Sequence, residues 1–329
     1  MPKWQFTKGL HEIGQDVWAY LQPDGSWGWS NAGLITDGDQ TLLVDTLFDL
    51  KLTAEMLADM RRSIPAAAHI NTLVNTHANG DHCFGNELVT GAEIIGSEAT
   101  AHELGELPPD QFHRMIVAAA TLGEGGAFFA EVFKPFDFSN ITLTRPTRTF
   151  SGELDLHVGD KAIKLIEVGP AHTRGDTLVY LPGDKVVFTG DILFNEGTPI
   201  AWAGPVGNWI RACDRILDMD VDVVVPGHGN IADKAAVSAM RGYLQYVSDE
   251  SRKRFDSGMS PLDAAFDIPL GPYGAWSDPE RLVVTVATLH AEYSGEATKY
   301  EPVKMFEQMS RLRHKLRMCD CHTGALRAD

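Results

Sequence analysis

Cysteine is scarce in this 329-residue chain: Cys83, Cys213, Cys319 and Cys321 are too few and too unevenly placed for a disulfide framework. Free thiols suit a reducing compartment. Long apolar runs are missing too. No uncharged stretch reaches the roughly 20 residues a bilayer-spanning helix needs, and the opening Met-Pro-Lys-Trp-Gln-Phe-Thr-Lys has no apolar core of signal-peptide length. These absences predict a cytoplasmic protein with no membrane partner. Basic residues are outnumbered, 28 Lys plus Arg against 45 Asp plus Glu, and the formal charge of −17 repels polyanions and argues against nucleic acid. There is no internal repeat and no low-complexity tract.

What is present is concentrated in Thr76-His77-Ala78-Asn79-Gly80-Asp81-His82, which sets two imidazoles, a carboxylate and an amide directly after the apolar run Ile70-Asn71-Thr72-Leu73-Val74. A strand ending in such a turn offers ligand atoms to a divalent metal. Three later fragments carry matching chemistry, each after a β-rich run: Gly169-Pro170-Ala171-His172 through Asp176, Phe188-Thr189-Gly190-Asp191, and Val225-Pro226-Gly227-His228. Strands are expected at 16–21, 32–36, 41–45, 70–75, 92–96, 161–168, 177–181, 185–189 and 221–225. Leu52, Met56 and Met60 share one helical face, as do Trp209, Ile210, Cys213, Ile216 and Leu217, which predicts surface helices covering a sheet.

The ordered fragments resemble the metallo-β-lactamase superfamily of metal-dependent hydrolases, whose pattern is His-x-His-x-Asp-His followed by a His, an Asp and a His. Trp29-Ser30-Asn31 through Ile35 and Leu42 through Thr46 resemble the family's opening strands, and the likeness covers about residues 10 to 232. It implies an α/β fold, a four-layer αββα sandwich with a C-terminal helical extension. The core then spans 1–232 with a helical insertion at about 99–140, and the extension spans 233–329. By the resemblance, one metal site takes His77, the Asn79 position and His172, a second takes Asp81, His82 and His228, and Asp191 lies between them. Asn79 departs from the pattern, because a neutral amide oxygen is a weak zinc ligand where imidazole is a good one. One tightly held zinc on Asp81, His82, His228 and Asp191 is therefore expected, with the second site weak or absent; iron and manganese are alternatives.

The implied chemistry is hydrolysis, since zinc lowers the pKa of its water from about 15.7 to about 7. Asp81 orients that water. His77 and His172 either form the weak site or act as donors, and Asn79 is a candidate oxyanion donor through its amide N–H. Asp45 is read as a brace for a ligand or as turn chemistry, and Asp176 as a cap or a brace. The other histidines, His11, His69, His102, His113, His157, His290, His314 and His322, are assigned structural roles, and Cys319-Asp320-Cys321-His322 is read as a frayed end. Trp27, Trp29, Phe48, Trp202 and Trp209 either line an apolar mouth or fill the core.

A small hydrophobic or aromatic substrate is expected: an ester, thioester or lactone first, then an aryl halide or sulfate ester, with a β-lactam less favoured. The rival readings are an iron-dependent oxidoreductase and a non-catalytic metal-binding protein. Against the diiron type, the sequence shows neither a carboxylate at position 79 nor a flavin domain. Residues 99–140 are read as a lid or a subunit contact, and the extension as a possible homodimer contact. Arg311, Arg313, His314, Lys315 and Arg317 are read as a solvated basic face or a partner for acidic surface elsewhere in an oligomer.

Overall fold

The computed structural model describes residues 4–296 and 301–323, with side chains through Met318. Alternation of apolar residues builds two sheets. The first runs in chain order through β1 (Gly9–Gly14), β2 (Val17–Leu21), β3 (Ala32–Asp37), β4 (Gln40–Val44), β5 (Thr72–Val74), β6 (Glu93–Ser97) and β7 (Arg148–Phe150). Its early strands pair antiparallel and β4 to β7 pair parallel. The second has β8 (Glu153–Val158), β9 (Lys161–Glu167), β10 (Thr177–Leu181), β11 (Val186–Phe188) and β12 (Val223–Val225), ordered β12-β11-β10-β9-β8 with β11 and β12 parallel.

Each buried strand faces two layers. Ile35, Leu42, Val44 and Val74 meet Leu165, Val179, Val186 and Phe188 between the sheets. Their neighbours Leu34, Leu43, Leu73, Ile166, Leu178 and Val187 belong instead to the core shared with the helices. The period-2 pleat thus divides one sequence between an inter-sheet core and a helix-covered outside. Close approach is built in at Gly33, where a Cβ would lie 2.2 Å from the Phe188 ring.

Helix α1 (Leu50–Ser63) starts at Asp49, whose carboxylate accepts from the Leu52 N–H, and buries Leu52, Met56 and Met60. A single turn, α2 (Gly80–Cys83), follows β5. Between β6 and β7 lie α3 (Glu98–Glu103), α4 (Pro109–Ala118) and α5 (Gly123–Phe133). Helix α6 (Val206–Asp218) buries Trp209, Cys213 and Ile216. C-terminal to β12 come the helices α7 (Lys234–Asp256), α8 (Pro261–Asp267), α9 (Leu282–Ser294) and α10 (Pro302–Thr323).

The expected sandwich is therefore present, together with three strands that sequence reasoning left out. β1 contains two glycines, β7 is three residues long, and β8 alternates polar residues as an edge strand does. The basic face of α10 finds acids within the chain: Arg313 lies 3.5 Å from Glu131 and His314 3.9 Å from Glu124, both on α5. No helix among the described residues is long and apolar enough to cross a membrane. The side chains of Cys319 to His322 lie outside the described residues.

Candidate metal centre

Parallel pairing carries β4 and β5 out of their sheet at one end and β11 and β12 out of theirs, and the chemistry lies on the turns that follow. Asp45 follows β4, with φ of 61°. His77, Asp81 and His82 follow β5, Asp191 follows β11, His228 follows β12, and His172 sits on the loop from β9 to β10. All six sequence-predicted ligands are buried, and the four imidazoles converge on Asp191. One Asp191 oxygen, Oδ2, lies 3.7 Å from His77 Nε2, 3.3 Å from His172 Nε2 and 3.5 Å from His228 Nε2. The other, Oδ1, lies 3.2 Å from His82 Nε2. Asp81 Oδ2 is 3.2 Å from His228 Nε2 and 3.9 Å from His82 Nε2. Gly227 makes the approach possible, since a Cβ there would fall 1.9 Å from Asp191 Oδ1.

Behind the cluster, every imidazole is tied by its other nitrogen. His82 Nδ1 donates to Asp45 Oδ2 at 2.9 Å, His172 Nδ1 to the Ile200 carbonyl at 2.6 Å, and His228 Nδ1 to the Gly25 carbonyl at 3.1 Å. The Thr76 hydroxyl donates to Asp45 Oδ2 at 2.7 Å and accepts from His77 Nδ1 at 3.0 Å. In its neutral form each ring is thereby set in the tautomer that leaves Nε2 as a lone pair facing the centre. Asp45 therefore braces His82 and, through Thr76, His77. Asp176 accepts from the Thr173 N–H and hydroxyl, so it shapes the loop that presents His172. Asn31 holds the His228 loop by donating to the Pro226 and Gly229 carbonyls.

The residues fit a cation. Three buried polar atoms, His77 Nε2, His82 Nε2 and Asp191 Oδ1, have no hydrogen-bond partner among the described residues. Leaving such atoms unsatisfied costs about 1–3 kcal/mol each, and a bound ion removes that cost. Two triads, His77/His82/Asp191 and Asp81/His82/His228, have ligand atoms within 4.8 Å of one another. Nitrogen and carboxylate donors of this kind suit zinc and its first-row neighbours.

Electrostatics agree. Burial opposes charge on Asp191, yet His228, His82, His77 and His172 hold its carboxyl well below the usual range. Burial also opposes protonated His82 and His228, but Asp191 and Asp81 outweigh it and raise both, His228 to about 9. His77 and His172, dominated by burial, are lowered. The centre is a place where positive charge is favoured.

Above it opens a cavity of about 620 Å³. Asn79, Asp81, His172, Asp191 and His228 form its floor, and Trp27, Phe48, Phe112, Phe129, Phe133 and Phe306 line its walls. Of the expected aromatics, Trp27, Phe48 and Trp202 line it, while Trp29 packs on Phe136 at 4.8 Å and Trp209 is fully buried. Sequence reasoning missed Phe112, Phe129, Phe133, Arg281 and Phe306. The signal of the four phenylalanines, aromatic residues on α4, α5 and α10, does not differ from that of ordinary core, and nothing local marks Arg281.

A family profile described as the metallo-beta-lactamase superfamily matches residues 25–228, which contain every residue of the cluster. The chain belongs to this superfamily. Among curated relatives, 2,4-dinitroanisole O-demethylase subunit alpha of Nocardioides sp. is 34% identical over 88 residues, 25% of this chain and 26% of the relative. Acyl-coenzyme A thioesterase MBLAC2 of Bos taurus is 23% identical over 220 residues, 61% of this chain and 73% of the relative. A solved sec-alkylsulfatase, Pisa1 from Pseudomonas sp., superposes with a TM-score of 0.68 at 17% identity, over 88% of this chain and 51% of that one. A metallo-beta-lactamase from Pontibacter korlensis does so at 0.54 and 21%, over 73% and 99%. The structural likenesses show the fold. The chain spans about a quarter of the demethylase subunit and about half of the alkylsulfatase.

Proposed function

We propose that this chain is a metal-dependent hydrolase acting on a small hydrophobic or aromatic substrate. The observation that carries the reading is the set of four imidazoles, each anchored at Nδ1 and each turning Nε2 toward Asp191. His82 and Asp191 would hold a zinc ion, with His77 on one side and Asp81 and His228 on the other; iron and manganese suit the same donors. Such an ion supplies Lewis acidity, which acidifies water and draws electron density from a carbonyl or ester oxygen.

The chain's own residues do the rest. Asp81, at the cavity floor, accepts a hydrogen bond from the attacking water and so orients it. Hydrolysis joins the water oxygen to the acyl carbon of an ester, thioester or lactone, or to the ring carbon of an activated aryl ether, breaks that carbon's bond to the leaving group and delivers a proton to the leaving oxygen or sulfur. The aromatic walls exclude bulk water and hold the apolar part of the substrate.

The charged lining of the cavity supports the choice among substrates. Of the two Arg residues lining it, Arg174 is bonded through both terminal nitrogens to Glu106, at 2.6 and 3.0 Å, and Arg281 pairs with Asp278 at 3.1 Å. Beside Glu103 and a net charge of −17, this is poor ground for the phosphates of a coenzyme A thioester. Aryl esters and lactones, simple thioesters and activated aryl ethers fit better, and the aromatic substrate in the demethylase relative's name accords with that. Two buried free thiols, Cys83 and Cys213, accord with a cytoplasmic setting.

A panel of aryl esters, thioesters, lactones, β-lactams, aryl halides and sulfate esters tests the reading. At least one hydrolysis is expected that a chelator abolishes and zinc restores. Full activity after exhaustive chelation overturns it, and oxygen consumption by iron-loaded protein favours the oxidoreductase.

A further inference from the structure

We propose that Asn79 and His172 form a hydrogen-bonded couple that serves the substrate, and that the chain holds one divalent ion rather than two. The amide nitrogen of Asn79 lies 2.9 Å from His172 Nε2. The Ile200 carbonyl can only accept, so His172 Nδ1 carries the hydrogen of their 2.6 Å bond. In the neutral ring Nε2 is then an acceptor, and the Asn79 N–H donates to it. That lone pair is engaged, and His172 belongs to neither triad whose donor atoms gather closely enough for an ion.

The triads themselves share a residue. Both depend on His82 Nε2, because His82 Nδ1 is committed to Asp45. One lone pair binds one ion, so filling either triad takes His82 from the other.

What remains is a clamped polar couple at the cavity floor. The Trp202 and Ala203 N–H groups donate to the His172 carbonyl oxygen at 3.0 and 3.1 Å, which fixes the backbone as Ile200 fixes the ring. An amide has two N–H groups. One is held by His172, and the second serves the cavity that both residues line, as a donor to the oxygen on which negative charge develops. Position 79 thus presents a neutral N–H donor where a metal ligand would present a lone pair.

Metal content decides the count independently of turnover, whereas the donor role rests on the hydrolase reading. Protein saturated with zinc and freed of excess is expected to retain one ion per chain by elemental analysis, and His172→Gln to retain the same. Two ions in the wild type, or loss of the ion in His172→Gln, overturns the single-ion assignment. Asn79→Ala is expected to keep its ion while kcat/KM falls about tenfold to a hundredfold, mostly in kcat. Asn79→Gln, which keeps an amide, is expected to recover part of that loss. An Asn79→Ala variant with unchanged kcat/KM overturns the donor role, and its melting temperature shows whether any loss is merely one of folding. Should the wild type hydrolyse nothing while holding one ion, the hydrolase reading fails and the count stands.

Discussion

The imidazoles at and beneath the cavity floor are each held from behind by a hydrogen bond, whereas the phenylalanines of the walls hold one another. Phe133, for example, meets Trp27, Phe48, Phe112, Phe129 and Phe306 at ring separations of 4.7 to 5.8 Å. The floor comes from turns after strands, and its residues are set by directional bonds to Asp45, Thr76 and backbone carbonyls. The walls draw on the N-terminal part of the chain (Trp27, Phe48), on α4 and α5 (Phe112, Phe129, Phe133) and on α10 (Phe306), and are set by packing. A floor of this kind fails when one donor is lost. A packed wall yields gradually, so substrate range can change while the chemistry stays.

The comparison can be broken from either side. Asp191→Ala removes the carboxylate that four imidazoles meet; kcat/KM is expected to fall on the order of 10³-fold, with the ion lost by elemental analysis. Phe133→Ala attacks the wall instead. It is expected to cost about 3–5 kcal/mol in denaturant unfolding and to raise KM for aromatic substrates, with metal content unchanged. If Phe133→Ala sheds the ion, floor and wall are not separable.

Asp45→Asn sharpens the distinction within the floor. It keeps the size of the side chain but loses a charged acceptor for His82 and Thr76, and metal affinity by competition with a chromogenic chelator is expected to drop about 10- to 100-fold. A smaller effect comes from Asp176, whose carboxyl is pushed up to about 8 by burial. Between about pH 4 and pH 8 the folded chain keeps a proton there that the unfolded chain has released. This group's contribution to stability is therefore largest below about pH 4 and is lost as pH rises toward 8. Melting temperatures at pH 6 and pH 8.5 should differ less in Asp176→Asn than in the wild type; equal differences would show that another group carries the slope.

The floor was largely legible in the sequence. His77, Asp81 and His82 lie within six positions, and His172, Asp191 and His228 each follow an apolar run, so local spacing carried the signal. The bracing role of Asp45 stayed ambiguous, because an Asp after a strand serves a turn equally well. The walls were not legible. Phe48 and Phe306 are separated by more than two hundred positions, and nothing local distinguishes an aromatic facing a cavity from one facing the core. The edge strands escaped for a related reason: the solvent-facing residues of β8 blur the alternation that made β3 and β10 plain.

Anomalous diffraction at the zinc absorption edge, from crystals of zinc-loaded protein, tests the central claim most directly. The account predicts a single strong peak per chain among His82 Nε2, Asp191 and either His77 or the Asp81/His228 pair. Two peaks of comparable height, or none among these side chains, would contradict it.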